Sequence, residues 1–133
     1  MKNISFIIML CQLLFMTGCK VKGQSSTSTT NEFILGKVLK IDSTQSFYII
    51  NIEYNKNKKG IFLSQKNNCE FPKKSKLIKI NNSYTFELSR LKQNNYNEKQ
   101  LVYEVEGKET WNSSSGIDYF EYSSNTCGLY TWR

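Results

Sequence analysis

Beyond Asn31 the chain alternates between apolar and polar positions with a period of two. Tyr48, Ile50, Ile52 and Tyr54 fall on one side of a run whose other side carries Asn51 and Glu53. Tyr84, Phe86 and Leu88 alternate with Thr85, Glu87 and Ser89, and Leu101, Tyr103 and Val105 with Val102, Glu104 and Glu106. Successive side chains of a strand point to opposite faces, so this pattern predicts half-buried antiparallel strands. Helical spacing is weak and confined to Leu88 to Gln100. The prediction is an all-β domain with strands at Phe33 to Ile41, Phe47 to Tyr54, Gly60 to Ser64, Leu77 to Ile80 joined to Tyr84 to Leu91, Leu101 to Val105, Asp118 to Tyr122 and Gly128 to Trp132. Turns are expected at Asp42-Ser43, from Asn55 to Gly60 and at Asn81-Asn82, where Asn, Asp and Gly tolerate the dihedrals a reversal needs. Gly36, inside the first strand, predicts a bend of the kind that lets a small sheet close into a barrel.

The first residues follow different rules. Met1-Lys2-Asn3 gives a short positive start, Ile4 to Phe15 an apolar run broken by Ser5 and Gln12, and Met16-Thr17-Gly18-Cys19 follows. That is the anatomy of an export leader, and the run falls well short of the roughly 20 residues a membrane-crossing helix needs. Thr17, Gly18 and Cys19 resemble the lipobox of bacterial lipoproteins, with Met16 where Leu is usual. The resemblance implies thioether lipidation of Cys19, cleavage between Gly18 and Cys19, and acylation of the new amino group. Several acyl chains anchor stably where one does not. Lys20 after the cysteine resembles lipoproteins sorted to the outer membrane. An ordinary secretory leader and an uncleaved anchor are the competing readings.

Three segments follow: a leader at 1–18, a lipidated tether at 19–31 and a β domain at 32–133. The tether is Ser/Thr-rich and without aromatics, so it cannot bury enough surface to offset its ordering entropy. With Cys11 in the leader and Cys19 lipidated, Cys69 and Cys127 remain, and an even pair in an oxidising envelope argues for a disulfide worth about 4 kcal/mol. A reactive thiol or a thiolate metal site are the alternatives, and both lack a helper residue nearby.

Charge and chemistry narrow function mainly by exclusion. The chain carries a net +7, falling to +6 without Lys2 of the leader, but its lysines are scattered, the densest groups being Lys56, Lys58, Lys59 and Lys73, Lys74, Lys76, Lys79. Solvated loops near an anionic membrane are the expected reading. There is no histidine, which removes the commonest general base and most zinc sites. No phosphate-binding glycine loop is present, and Asp42, Glu53, Glu87, Asp118 and Glu121 form no evident catalytic pair. The expectation is a non-catalytic protein with no cofactor and no metal. Trp111, Tyr119, Phe120, Tyr122, Tyr130 and Trp132 crowd the C-terminal third. Trp111, Tyr119, Tyr122, Tyr130 and Trp132 are the candidate ligand-binding residues, because exposed aromatics stack on sugars or bases and form protein hot spots. Core packing is the competing role.

The block from Ile34 to Leu91, with Gly36-Lys37-Val38, Phe47-Tyr48-Ile49-Ile50, Gly60-Ile61-Phe62-Leu63-Ser64 and Tyr84-Thr85-Phe86-Glu87-Leu88, resembles small OB-fold lipoproteins. The resemblance implies a small antiparallel OB-fold-like barrel, with a β-sandwich or another barrel as alternatives. The function this points to is a membrane-anchored envelope module that binds another envelope protein or a glycan, with no nucleic acid partner expected. Ser115-Gly116-Ile117-Asp118-Tyr119 is similar to the Ser-Gly-x-x-Tyr segment of lipid-anchored lysozyme inhibitors, which makes inhibition of a host hydrolase the second expectation.

Overall fold

The computed structural model describes residues 30–90 and 101–132. The leader at 1–18, Cys19, most of the tether and most of the weakly helical stretch therefore lie outside the described residues. Within them the chain forms ten strands: β1 (Asn31–Ser43), β2 (Phe47–Tyr54), β3 (Lys58–Gln65), β4 (Lys76–Leu77), β5 (Ser83–Arg90), β6 (Val102–Val105), β7 (Lys108–Asn112), β8 (Asp118–Ser123), β9 (Thr126–Cys127) and β10 (Tyr130–Thr131).

Five of these close a barrel in the order β1-β2-β3-β8-β5, with β5 returning to β1. Four seams are antiparallel and β3–β8 is parallel, so the barrel is mixed rather than wholly antiparallel. A five-stranded closed barrel of this size is OB-fold-like. β1 serves two partners, β5 along its first half and β2 along its second. The irregularity that lets it turn is a bulge between Val38 and Lys40. Gly36 contributes close approach instead: a Cβ there would stand 3.0 Å from Ile52 Cδ1.

Alternation puts Ile50, Ile52 and Tyr54 of β2 inside with Phe62, Phe86, Leu88 and Phe120. Phe62 and Phe86 meet at 5.0 Å between ring centroids. Burying side chains of this size contributes roughly 1.5–3 kcal/mol each. Ile78, at 2 % exposed, turns inward to join this core.

Several expected boundaries move. The turn expected at Asp42-Ser43 falls at 44–46, because Ser43 still pairs with Tyr48 and the Thr44 amide donates to the Phe47 carbonyl at 2.9 Å. The turn from Asn55 is tighter than expected, with Asn55, Lys56 and Asn57 all at positive φ. The strand expected over Leu77 to Ile80 shrinks to β4. The strand expected over Gly128 to Trp132 is the second arm of a hairpin, β9–β10, and Gly128 sits at its turn with φ 58°. β7 has no counterpart in the sequence reading; it pairs with β6 across Glu106 and Gly107, both at positive φ. The β4, β10 and β9 strands form a small separate sheet, tied to the loop after β3 by a Cys69–Cys127 disulfide and to the end of β3 by Ser64, whose hydroxyl donates to the Gly128 carbonyl at 2.8 Å.

Candidate functional site

A groove of about 760 Å³ lies between the barrel and the small sheet, within the size range of small-ligand sites. The barrel side is the outer face of β1 and β5, where Leu35 pairs with Thr85 and stands 67 % exposed. The far wall is Thr131 and Trp132, the rim Lys74 and Lys76, and one end the Asn81-Asn82-Ser83 turn with Tyr84. Among the described residues that line it there is no carboxylate. Asn81 takes a positive φ of 68°, and the turn is tied to β1 because Val38 donates to the Asn82 carbonyl at 2.9 Å and accepts from the Asn81 amide at 2.8 Å. The Tyr84 hydroxyl is committed to backbone, donating to the Leu77 carbonyl and accepting from the Lys79 amide, both at 2.9 Å. That bond holds the Lys-bearing segment against the barrel.

Asn125 sets the position of Trp132. Its carboxamide nitrogen donates to the carbonyls of Thr85 and Trp132, and its oxygen accepts from the Glu87 amide at 2.7 Å and the Ser123 hydroxyl at 3.0 Å. The residue is 6 % exposed. Sequence reasoning passed over it, since an asparagine in a Ser/Asn-rich stretch looks like any turn residue.

The candidate aromatics do not share one surface. Trp111 is 6 % exposed and packs with Tyr103, Tyr119, Ile49 and Ile61 in a second small core. Tyr103 stacks on Tyr119 at 4.6 Å and 13° between planes, and the Trp111 indole donates to the Ile117 carbonyl. Burial pushes the Tyr119 hydroxyl above its ordinary pKa, with Tyr103 and Glu121 adding to the effect. This core lies outside the barrel, between the β6–β7 hairpin and the outer sides of β2, β3 and β8. OB-folds commonly offer the face of their second and third strands to ligands; here the hairpin already fills it. Tyr130 belongs to the small sheet, at 4.9 Å from the Phe71 ring, and Tyr122 is exposed on β8. Trp132 alone of the five lines the groove.

A polar cluster closes one mouth of the barrel. The Tyr54 hydroxyl donates to Asp118 Oδ2, and Arg90 reaches Asp118 at 3.5 Å, Glu32 at 3.4 Å and the Tyr54 oxygen at 3.4 Å. The Arg90 guanidinium also lies 5.2 Å over the Phe120 ring. Burial, then the bond to Asp118, pushes the Tyr54 pKa up to about 12. Asp118 and Tyr119 of the inhibitor-like segment are therefore engaged, the first in this cluster and the second under Tyr103, while Ser115 and Gly116 form an exposed turn.

Compared with known proteins, the chain matches no family model, no curated protein and no solved structure. What the site can do must come from its own chemistry. Among the described residues, no three His, Cys, Asp or Glu side chains gather in a group that could hold a metal. The groove offers an indole, an exposed leucine, amides, hydroxyls and two ammonium groups, a set that suits recognition: planar and C–H surfaces stack on the ring while amides and hydroxyls meet hydrogen-bonding groups.

Proposed function

We propose that this protein is a non-catalytic binding module of the bacterial cell envelope, anchored by lipid on Cys19, whose ligand is a glycan held in the groove beside Trp132. The observation that carries the reading is the lining of that groove: one indole and one exposed leucine among Asn81, Asn82, Ser83, Thr85 and Thr131, with Lys74 and Lys76 and, among the described residues, no carboxylate. Sugar rings present apolar C–H faces and dense hydroxyls, which this set matches. The lysines favour an acidic glycan. Lipidation of Cys19 is supported by Thr17-Gly18-Cys19 after a short apolar run. The disulfide fits an oxidising compartment.

The test is co-sedimentation of the protein with purified cell-wall glycan, beside a Trp132→Ala variant whose near-ultraviolet circular dichroism matches that of the parent. Binding that falls at least tenfold in the variant supports the groove as the site. Equal binding by both proteins places the ligand elsewhere, and no binding by either removes cell-wall glycan as the ligand class.

A further inference from the structure

The small sheet has two faces. One, through Thr131 at 4 % exposed, packs on the barrel. On the other, Leu77 and Tyr130 form a cross-strand pair and the Phe71 ring sits 4.9 Å from that of Tyr130, edge to face. These three large side chains are 44 %, 40 % and 52 % exposed. Lys73, Lys74, Lys76 and Lys79 are all exposed; Lys74 and Lys76 line the groove, Lys76 opposite Thr131, while Lys73 and Lys79 lie outside it. Among the described residues none of the four is in an ion pair. From Phe71 to Phe86, and again from Tyr122 to Trp132, the chain has no acidic residue. Negative charge collects elsewhere, with Glu104, Glu106 and Glu109 on the β6–β7 hairpin. The domain is thus electrically lopsided, and Phe71, Leu77 and Tyr130 protrude in a stretch that carries lysines and no carboxylate.

We infer that this face of the small sheet is a contact for an anionic bilayer surface, with Phe71, Leu77 and Tyr130 entering the interface and Lys73 and Lys79 meeting lipid phosphates. Amphipathic side chains do this well: a tyrosine ring sits at headgroup depth, and a lysine stem lies along apolar surface while its ammonium reaches charge. A fixed protein partner would need carboxylates placed to match. A bilayer needs only negative charge density, which the ammonium groups of Lys73 and Lys79 can follow. The Cys69–Cys127 bridge ties the loop that carries Phe71 to β9, so the aromatic pair is preset and little ordering entropy is lost on contact. Each lysine near such a surface is worth about a fivefold gain in affinity. The contact stands on this surface alone, not on lipidation of Cys19. Where both hold, it fixes which way the groove faces.

The experiment is an acetylation footprint of the full chain, read by mass spectrometry, on vesicles of phosphatidylglycerol and of phosphatidylcholine. Lys73 and Lys79 are the decisive pair, since neither lines the groove. The expected result is several-fold protection of both on phosphatidylglycerol and none on phosphatidylcholine, with the exposed Lys56 and Lys58 labelled equally on each. The double variant Phe71→Ser, Leu77→Ser, altering exposed positions, loses that protection. Equal labelling of Lys73 on both lipids, in protein that co-sediments with both, overturns the inference. So does protection without vesicles that rises with protein concentration, because a second copy then covers the face. A failure of Cys19 lipidation looks different: the protein leaves phosphatidylcholine vesicles while protection on phosphatidylglycerol persists.

Discussion

The carboxamide of Asn125 donates to the backbone carbonyls of both Thr85 and Trp132, each at 2.9 Å, so one buried side chain fastens β5 to the end of the chain and spaces the two walls of the groove. Replacing it leaves those carbonyls and the Glu87 amide without this partner. Asn125→Ala should cost about 2–3 kcal/mol in urea unfolding, since buried groups left unpaired carry their desolvation penalty. It should also weaken glycan binding even where the variant is fully folded, because Trp132 keeps only the bond from its amide to the residue-125 carbonyl and loses the one from the carboxamide. A variant that binds as the parent does would show that Trp132 is held by other contacts.

Tyr54 and Asp118 predict behaviour in alkali. The folded pKa of Tyr54 is raised to about 12, above the 10.0 of an unfolded tyrosine. Its contribution is therefore complete below pH 10 and is lost as the pH climbs from there toward 12. Tyr54→Phe should lower stability by about 1.5–3 kcal/mol at neutral pH, the range for a hydrogen bond to a charged group. Its stability should also fall less steeply than the parent's above pH 10. Parallel curves for the two proteins would remove Tyr54 as the group responsible.

Acid should loosen the hairpin. Asp42 is held below its ordinary pKa first by the hydrogen bond from Lys40, with Lys108 of β7 adding to it, and Glu106 is lowered by hydrogen bonds from Ser46 and Thr44. Both carboxylates sit where the hairpin meets the β1–β2 turn: Glu106 Oε2 accepts from the Ser46 amide at 3.1 Å. Because both folded values are depressed, their stabilisation is present above the unfolded values, 3.8 and 4.5, and disappears as the pH drops through the folded ones. The protein has two tryptophans, so Trp132→Phe leaves Trp111 as the sole indole reporter under the hairpin. Its emission should shift to the red below about pH 4 and recover on neutralisation. In Asp42→Asn, Glu106→Gln that shift should largely vanish; an emission flat down to about pH 2.5 in the parent would refute the coupling.

The disulfide closes a separation of 58 residues and joins the loop after β3 to β9. Cys69→Ser with Cys127→Ser should lose about 4 kcal/mol, most of it by freeing the unfolded chain. Because the bridge also positions Phe71 beside Tyr130, amides of β4 and β10 should exchange hydrogen faster than those of β2 and β3. Uniform loss of protection across both sheets would mean that the small sheet has no independent opening.

How far the chain could be read in advance depended on the range of the signal. β2 was legible to the residue, because Tyr48, Ile50, Ile52 and Tyr54 repeat the period of a strand with one wet face. β7 was not, because Lys108 to Asn112 carries a single large apolar residue, Trp111, and pairs only with a neighbour across the Glu106-Gly107 turn. That dipeptide was the available clue. For the same reason a strand was expected through Gly128, where the positive φ makes a hairpin instead.

Alternation, the leftover cysteine pair and turn residues are local properties, and from them the sequence alone determined an all-β domain, most of its strands and the Cys69–Cys127 pairing it favoured. Which side of an aromatic is wet is not local. Trp111 and Trp132 stand in similar polar company along the chain, yet one is sealed under a hairpin and the other lines a groove. Only the closure of the barrel, with β8 inserted beside β3 and the small sheet tied across its flank, decided that, because burial depends on what distant segments bring to the same place.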